Sequence, residues 1–218
     1  FGTGKAEKIS FRDYADVLAH NRGIQMLVVA ASSDKLAINC TSNSAVTMAL
    51  YGIIFGNFAL NGSVSAITSI PIALIGIFGI GKIARKMGQK KCLVIGTYGA
   101  LATAVALGIL ICFANGAGAA WPTFSLTKLE TYGNLFKGAN WSLFGVAYIL
   151  VYILMQGFSS LSGNIVIPMT ADCADYEVYR SGRYVPGLMG TLFSFVDKLI
   201  SSLAATIVAA VYALIGYT

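Results

Sequence analysis

The sequence predicts an all-α integral membrane protein, and three observations carry that prediction. Only 11% of its 218 residues are charged while 56% are hydrophobic, against roughly 25% charged in soluble domains. Three charge-free stretches, Leu36 to Gly81, Cys92 to Thr127 and Gly138 to Ala171, run for 46, 36 and 34 residues, and each exceeds the about 20 needed to cross a bilayer. Lys and Arg gather on one side of the resulting spans, as cytoplasmic loops require. The same apolar excess excludes disorder and an ordinary soluble core. Cys40, Cys92, Cys112 and Cys173 form no CxxC pair and have no His at ligand spacing, so neither a disulfide framework nor a zinc site is expected. Polar residues fill Gly2 to Ser10 where a signal peptide would be apolar, and the chain reads as cut from something longer.

Residues 1–22 read as a polar loop with a short interfacial helix, capped by Ser10 and presenting Phe11, Tyr14, Val17 and Leu18 on one face. Residues 23–218 read as a transmembrane bundle, incomplete at five spans. The first, Gly23 to about Asn57, is apolar at both ends and polar from Ser32 to Ser44. As one helix it would be about 50 Å long, so it must tilt, bend, protrude, or break in a re-entrant turn near Asn39. A turn from Asn57 to Gly62 leads to a second span ending near Gly81, in which Pro71 is tolerated because neighbouring helices satisfy the freed carbonyl. The basic loop GKIARKMGQKK follows. Leu93 to about Ala114 is the third span, and Trp121, Tyr132 and Trp141 in the next connection suit headgroup level. Trp141 to about Ala171 is the fourth and Val185 to Gly216 the fifth.

Charge placement supports that count. Lys5, Lys8, Arg12, Arg22, Lys82, Arg85, Lys86, Lys90, Lys91, Arg180 and Arg183 share one side; only Lys128 and Lys137 take the other, with Lys35 and Lys198 inside spans. Phe1 is therefore expected in the cytoplasm and Thr218 outside. The net charge of +6 reports topology, not nucleic-acid binding.

Lys198 is the sharpest chemical signal. It lies about 18 Å into a helix starting near Pro186, where a lysine costs at least about 2.5 to 3.5 kcal/mol on insertion scales. It needs a partner or a watery cavity. Gly187, Thr191, Ser194, Lys198 and Ser201 recur at helical spacing as one polar stripe, which Asp197 cannot share because it points about 100° away. Asp34 and Lys35 lie at comparable depth on the first span, so the two charged dipeptides invite cross-pairing between helices. Asn39, Thr41, Ser42 and Asn43 extend this polar zone, as donors to a solute or as glue between helices. Gln156, Ser160 and Asn164, spaced by four, form a polar file suited to polyol recognition. Asp172, Asp175 and Glu177 precede Arg180 and Arg183 in what reads as a loop, a candidate cytoplasmic gate of salt bridges built on Asp172, Asp175, Arg180 and Arg183.

Other patterns are set aside. Gly76 to Lys82 spells GxxxxGK, but Ile83 replaces the Ser/Thr that holds magnesium and the stretch is a span. His20 is the single histidine, with no catalytic constellation available around it, so an enzyme is not expected.

Ala171-Asp172-Cys173-Ala174-Asp175-Tyr176, then GTLFSFVDKLISSL around Lys198, then IGYT at the end, resemble the C-terminal half of the glycoside–pentoside–hexuronide:cation symporters, the melibiose permease-like family of the major facilitator superfamily. The opening KISFRDYADVLAHNRG is similar to that family's central cytoplasmic loop, and GKIARKMGQKK to the superfamily's basic loop between helices eight and nine, although Arg85 stands where an acidic residue is usual. The resemblance implies a twelve-helix, two-bundle transporter of the cell membrane, of which these spans are helices seven to eleven. It implies alternating access and symport of a sugar or related small polar solute with sodium, lithium or protons. No cofactor is implied. The family's cation-binding carboxylates lie mainly on an N-terminal bundle, the expected partner besides the bilayer and the solute. By resemblance Lys198 sits near the cation site and Ser194 faces the sugar cavity. A non-transporting membrane subunit or assembly partner, or a same-fold exporter or lipid transporter, are the alternatives.

Overall fold

The computed structural model describes residues 10–54, 58–116 and 143–216. Among them the chain forms α1 (Phe11–His20), α2 (Arg22–Thr41), α3 (Ser44–Thr47) continued by a π-helical segment (Met48–Ile54), α4 (Ala59–Gly79) continued by a second π-helical segment (Ile80–Ala84), α5 (Arg85–Met87), α6 (Gln89–Gly116), α7 (Leu143–Ser181) and α8 (Pro186–Ile215). The expected connection holding Trp121, Tyr132 and Trp141, together with Lys128 and Lys137, lies outside the described residues, as do Lys5, Lys8 and part of the turn after the first span.

The expected short helix is α1. The Ser10 amide donates to the Asp13 carboxylate at 2.7 Å, Val17 is buried, and Leu18 of the predicted face is exposed. Asn21 then caps α2, its side-chain oxygen accepting from the Ile24 amide at 3.0 Å. The first span is not one long helix but is interrupted close to Asn39. The break falls at Ser42 and Asn43, where the Asn43 side chain accepts from the Ala45 amide at 2.9 Å and starts a new helix. A side chain that caps competes with continuing the helix behind it.

Four helical segments, Asn61–Met87, Gln89–Cys112, Gly145–Ser181 and Pro186–Ile215, are long and apolar enough to cross a membrane. Charged Asp34 and Lys35 keep α2 from that set on composition alone, but its packing places it in the bundle. Lys35 meets Asp197, Asn39 meets Ser201 and Cys40 meets Ala204, so α2 and α8 run parallel. Asn21 at the start of α2 meets Glu177 near the end of α7, so those two are antiparallel. Ile75 against Gly157 and Gly79 against Leu161 make α4 parallel to α7. These directions are the alternation that five successive crossings require.

The fourth span is longer than expected. α7 runs on to Ser181, so Asp172 to Arg180 are its last turns and not a loop. The basic stretch after α4 is likewise helical through Met87 and stops at Gly88, whose φ of +87° only glycine adopts without strain.

Packing follows bilayer logic. On α6, Val94, Tyr98, Leu101, Val105 and Ile109 form one exposed apolar stripe, while Gly96 and Gly99 face α7. A Cβ added at Gly96 would sit 2.8 Å from the Ser162 amide nitrogen and 3.1 Å from the Phe158 carbonyl, so the two backbones touch because glycine is there. Lipid tails are as apolar as Leu, and close backbone approach between small residues is what holds such helices together. Two buried clusters result. One joins Val17, Ile24 and Leu27 to Cys92, Ile165, Cys173, Leu188 and Leu192 near the α1 end; the other joins Tyr51, Val64, Leu107, Tyr148 and Met155 at the opposite end.

Candidate functional site: polar groups among the spans

The two charged dipeptides divide their four side chains among three directions. Lys35 Nζ lies 3.5 Å from Asp197 Oδ1, an ion pair between α2 and α8. Asp34, on the other side of α2, accepts from the Thr97 hydroxyl of α6 at 2.7 Å. Lys198 is exposed and has no ion pair among the described residues. It shares its face of α8 with exposed Thr191 and Ser194, while Leu188, Met189 and Leu192 of the same helix are buried. Lys198 therefore does not meet Asp197 or any carboxylate of the described bundle. One turn beyond the ion pair, the Asn39 amide donates to the Ser201 hydroxyl at 3.0 Å, which spends that donor between helices.

The polar file on α7 splits. Positions four apart drift by about 40° per step on a 3.6-residue helix, so Gln156 and Asn164 end up on different faces. Gln156 donates to the Tyr152 hydroxyl at 3.1 Å and lines two adjoining cavities. Asn164 donates to Ser160 at 3.1 Å beside Gly76 of α4, in a packing seam away from both.

The first cavity, about 260 Å³, lies between α2, α6 and α7 and is lined by Asp34, Thr97, Gln156 and Ser162 among others. The second, about 740 Å³, continues from it past Gln156 toward the π-helical segment and α4, with Tyr51, Tyr148, Tyr152, Asn61 and Ser65 on its walls. Tyr148 and Tyr152 stack at 6.0 Å between ring centroids, and the Tyr51 and Tyr148 hydroxyls are 3.1 Å apart. Sequence reading passed over these tyrosines, although the i, i+4 spacing of Tyr148 and Tyr152 in an apolar run was available as a signal. Thr97 carried no signal at all, because only the fold brings it to Asp34.

At the α1 end the two gate arginines find partners other than the gate aspartates. Arg183 pairs with Asp13 at 3.1 Å. Arg180 reaches Asp16 at 3.6 Å and Glu177 at 2.7 Å. Glu177 is 2% exposed and also accepts from Asn21 at 2.8 Å and from Ser181 at 2.8 Å. Asp172 and Asp175 are exposed, without an ion pair among the described residues. The cluster thus clamps α1 to the end of α7, and its acidic members are Asp13, Asp16 and Glu177. The Ser10 amide, and next the Arg183 guanidinium, hold the Asp13 carboxyl below the usual carboxylate range.

Among the described residues no three His, Cys, Asp or Glu side chains come together as a metal cluster. The geometry provides a cavity of about 260 Å³ beside one carboxylate, a larger one walled by aromatic rings and hydroxyls, and a cationic side chain exposed on α8. A family model described as MFS/sugar transport protein matches residues 2–218. No curated protein and no solved structure matches the chain.

Proposed function

The chain belongs to the MFS/sugar transport protein family, and from that premise we propose that it supplies one helical bundle of a transporter coupling movement of a sugar or related small polar solute to a cation gradient by alternating access. It is a multi-pass membrane protein with the bilayer and a small sugar-like solute as partners. The finer reading is a glycoside–pentoside–hexuronide symporter of the cell membrane that uses sodium, lithium or protons. In that reading α2, α4, α6, α7 and α8 are helices seven to eleven, the Phe1 side is cytoplasmic, and an N-terminal bundle faces α8.

The observation that carries this reading is the exposure of Lys198 with Ser194 on a membrane-spanning helix. An ammonium facing hydrocarbon costs at least about 2.5 to 3.5 kcal/mol, so this face borders water or a second polar surface. A cation or proton neutralising a carboxylate opposite would release Lys198 and change which side of the pathway is favoured to open. The cavity at Tyr148 and Tyr152, about 740 Å³, is of small-molecule size and offers the rings and hydroxyls a sugar engages.

Cysteine placed at Lys198, with the four native cysteines replaced, should react with a charged, membrane-impermeant thiol reagent. In the intact protein, Lys198→Ala should abolish ion-driven uptake into proteoliposomes at normal yield. Wild-type coupled uptake by that variant, or reaction of the cysteine only with lipid-soluble reagents, refutes the reading.

A further inference from the structure

The stretch after α4 carries positive charge that the bundle leaves unanswered. No Asp or Glu occurs between Asp34 and Glu130 in the sequence. Lys82, Arg85 and Lys86 make no ion pair among the described residues, whereas Arg180 and Arg183 at the end of α7 are matched to Glu177, Asp16 and Asp13. The three cations adjoin an apolar surface. Ile77 and Phe78, 69% and 58% exposed on the last turn of the membrane-spanning α4, border the same groove of about 610 Å³ as Gly81, Lys82, Arg85 and Lys86. The winding of the chain produces that alignment. On a 3.6-residue helix positions four apart drift by about 40° per step, which would turn Arg85 about 80° away from Ile77. The wider turn of the π-helical segment Ile80–Ala84 winds that drift back, so Ile77, Gly81 and Arg85 form one file and Phe78, Lys82 and Lys86 the next. Gly81 leaves a gap between Ile77 and Arg85, since a Cβ there would meet nothing within 4 Å.

We propose that this groove seats one anionic phospholipid of the surrounding bilayer, its phosphate held by Lys82, Arg85 and Lys86 and an acyl chain laid along Ile77 and Phe78. A cationic cluster alone suits any polyanion, but here exposed apolar side chains of a membrane span share its groove. The occupant that satisfies both is charged at one end and apolar at the other, and basic pockets at the ends of spans take such headgroups. The heights agree. At about 1.5 Å of rise per residue Lys82 to Lys86 lie about 7 to 14 Å beyond Ile77, and the headgroup layer on each side of the hydrocarbon core is about 5 to 8 Å deep. With Ile77 at the edge of the hydrocarbon, the cations fall within or just beyond that layer. Arg85 offers a planar fork to phosphate oxygens and each lysine a point charge. A phosphocholine headgroup would set its own ammonium against these cations, which selects a lipid of net negative charge. The site requires that α4 spans the membrane and does not depend on transport of a solute.

Quenching of tryptophan by brominated acyl chains reads lipid contact at a chosen residue. In the intact protein, with Trp121 and Trp141 replaced by Phe, Phe78→Trp places the indole at the groove. The protein is reconstituted in phosphatidylcholine containing rising fractions of brominated phosphatidylglycerol or, separately, of brominated phosphatidylcholine with the same chains. Phosphatidylglycerol should quench more strongly than its mole fraction predicts. Lys82→Gln, Arg85→Gln and Lys86→Gln should each lower that preference by up to about fivefold, the equivalent of about 1 kcal/mol per cation. Gly81→Leu, which fills the gap with every charge in place, should lower it as well. Lys90→Gln with Lys91→Gln removes two exposed charges outside the groove and should leave it unchanged. Equal quenching by the two lipids overturns the site. So does a loss on Lys90→Gln with Lys91→Gln as large as on Lys82→Gln with Lys86→Gln, which would reduce the effect to a diffuse surface potential. Relief of quenching by excess glycerol phosphate would assign the cations to a water-soluble phosphoester and overturns the lipid site too.

Discussion

Replacing Glu177 by Ala tests whether the clamp at the α1 end stabilises the bundle. The carboxylate is 2% exposed and holds three neighbours, Asn21, Arg180 and Ser181. Ser181 also bonds the Glu177 backbone carbonyl at 3.0 Å and keeps that partner after truncation. Arg180 is 26% exposed and stays near Asp16, so water and Asp16 recover much of its loss. Asn21 is fully buried, and its amide would retain only a 3.4 Å bond to the Cys173 carbonyl. Orphaning that donor costs about 1 to 3 kcal/mol, and the lost charged bonds bring the total to about 3 kcal/mol. For a protein of this size that lowers the unfolding midpoint by about 6 to 12 °C. A dye that fluoresces on reacting with Cys92 and Cys173, both buried, reads the midpoint in detergent. Glu177→Gln keeps an acceptor for Asn21 and should lose only about 1 kcal/mol. A Glu177→Ala protein unfolding within about 1 °C of wild type would show that the clamp contributes no stability, contrary to the burial and bonding described.

Two further outcomes follow from the packing and the charges. Gly96→Val should destabilise the α6–α7 contact by about 1 to 3 kcal/mol, because its Cβ meets backbone atoms of α7, whereas Gly108→Ala, with no neighbour within 4 Å, should be neutral or raise the midpoint slightly; equal effects of the two would refute the close-approach account. Because the Asp13 carboxyl is held below its usual range, its attachment of α1 is present above the unfolded carboxylate value of about 3.9 and is lost as pH falls through the lower folded value. Limited proteolysis should find α1 protected near neutral pH and released in acid, and Asp13→Asn should release it throughout; a cleavage profile for Asp13→Asn identical to wild type would disprove the attachment.

Charge-free length and the side preference of Lys and Arg determine that these segments are helices and which ends share a side, because the bilayer penalises every unpaired charge and open backbone group independently of partners, whereas α2, which carries Asp34 and Lys35, joins the spans through its packing. Pro186 and Gly216 bracketing α8 are equally local, since proline fits a helix start and a left-handed glycine ends one. The break at Asn43 was harder to place, because several polar residues nearby could cap and only one competes successfully. Pairings belong to the tertiary structure. Lys35 with Asp197, Asp34 with Thr97 and Arg183 with Asp13 lie 162, 63 and 170 positions apart in the chain, and each depends on how neighbouring helices rotate about their axes. Around α7 that rotation is constrained where glycines admit a neighbour, Gly96 against the backbone at Ser162 and Gly157 against the Ile75 side chain. The periodicity of one helix shows which residues share a face, but not which neighbour that face will meet.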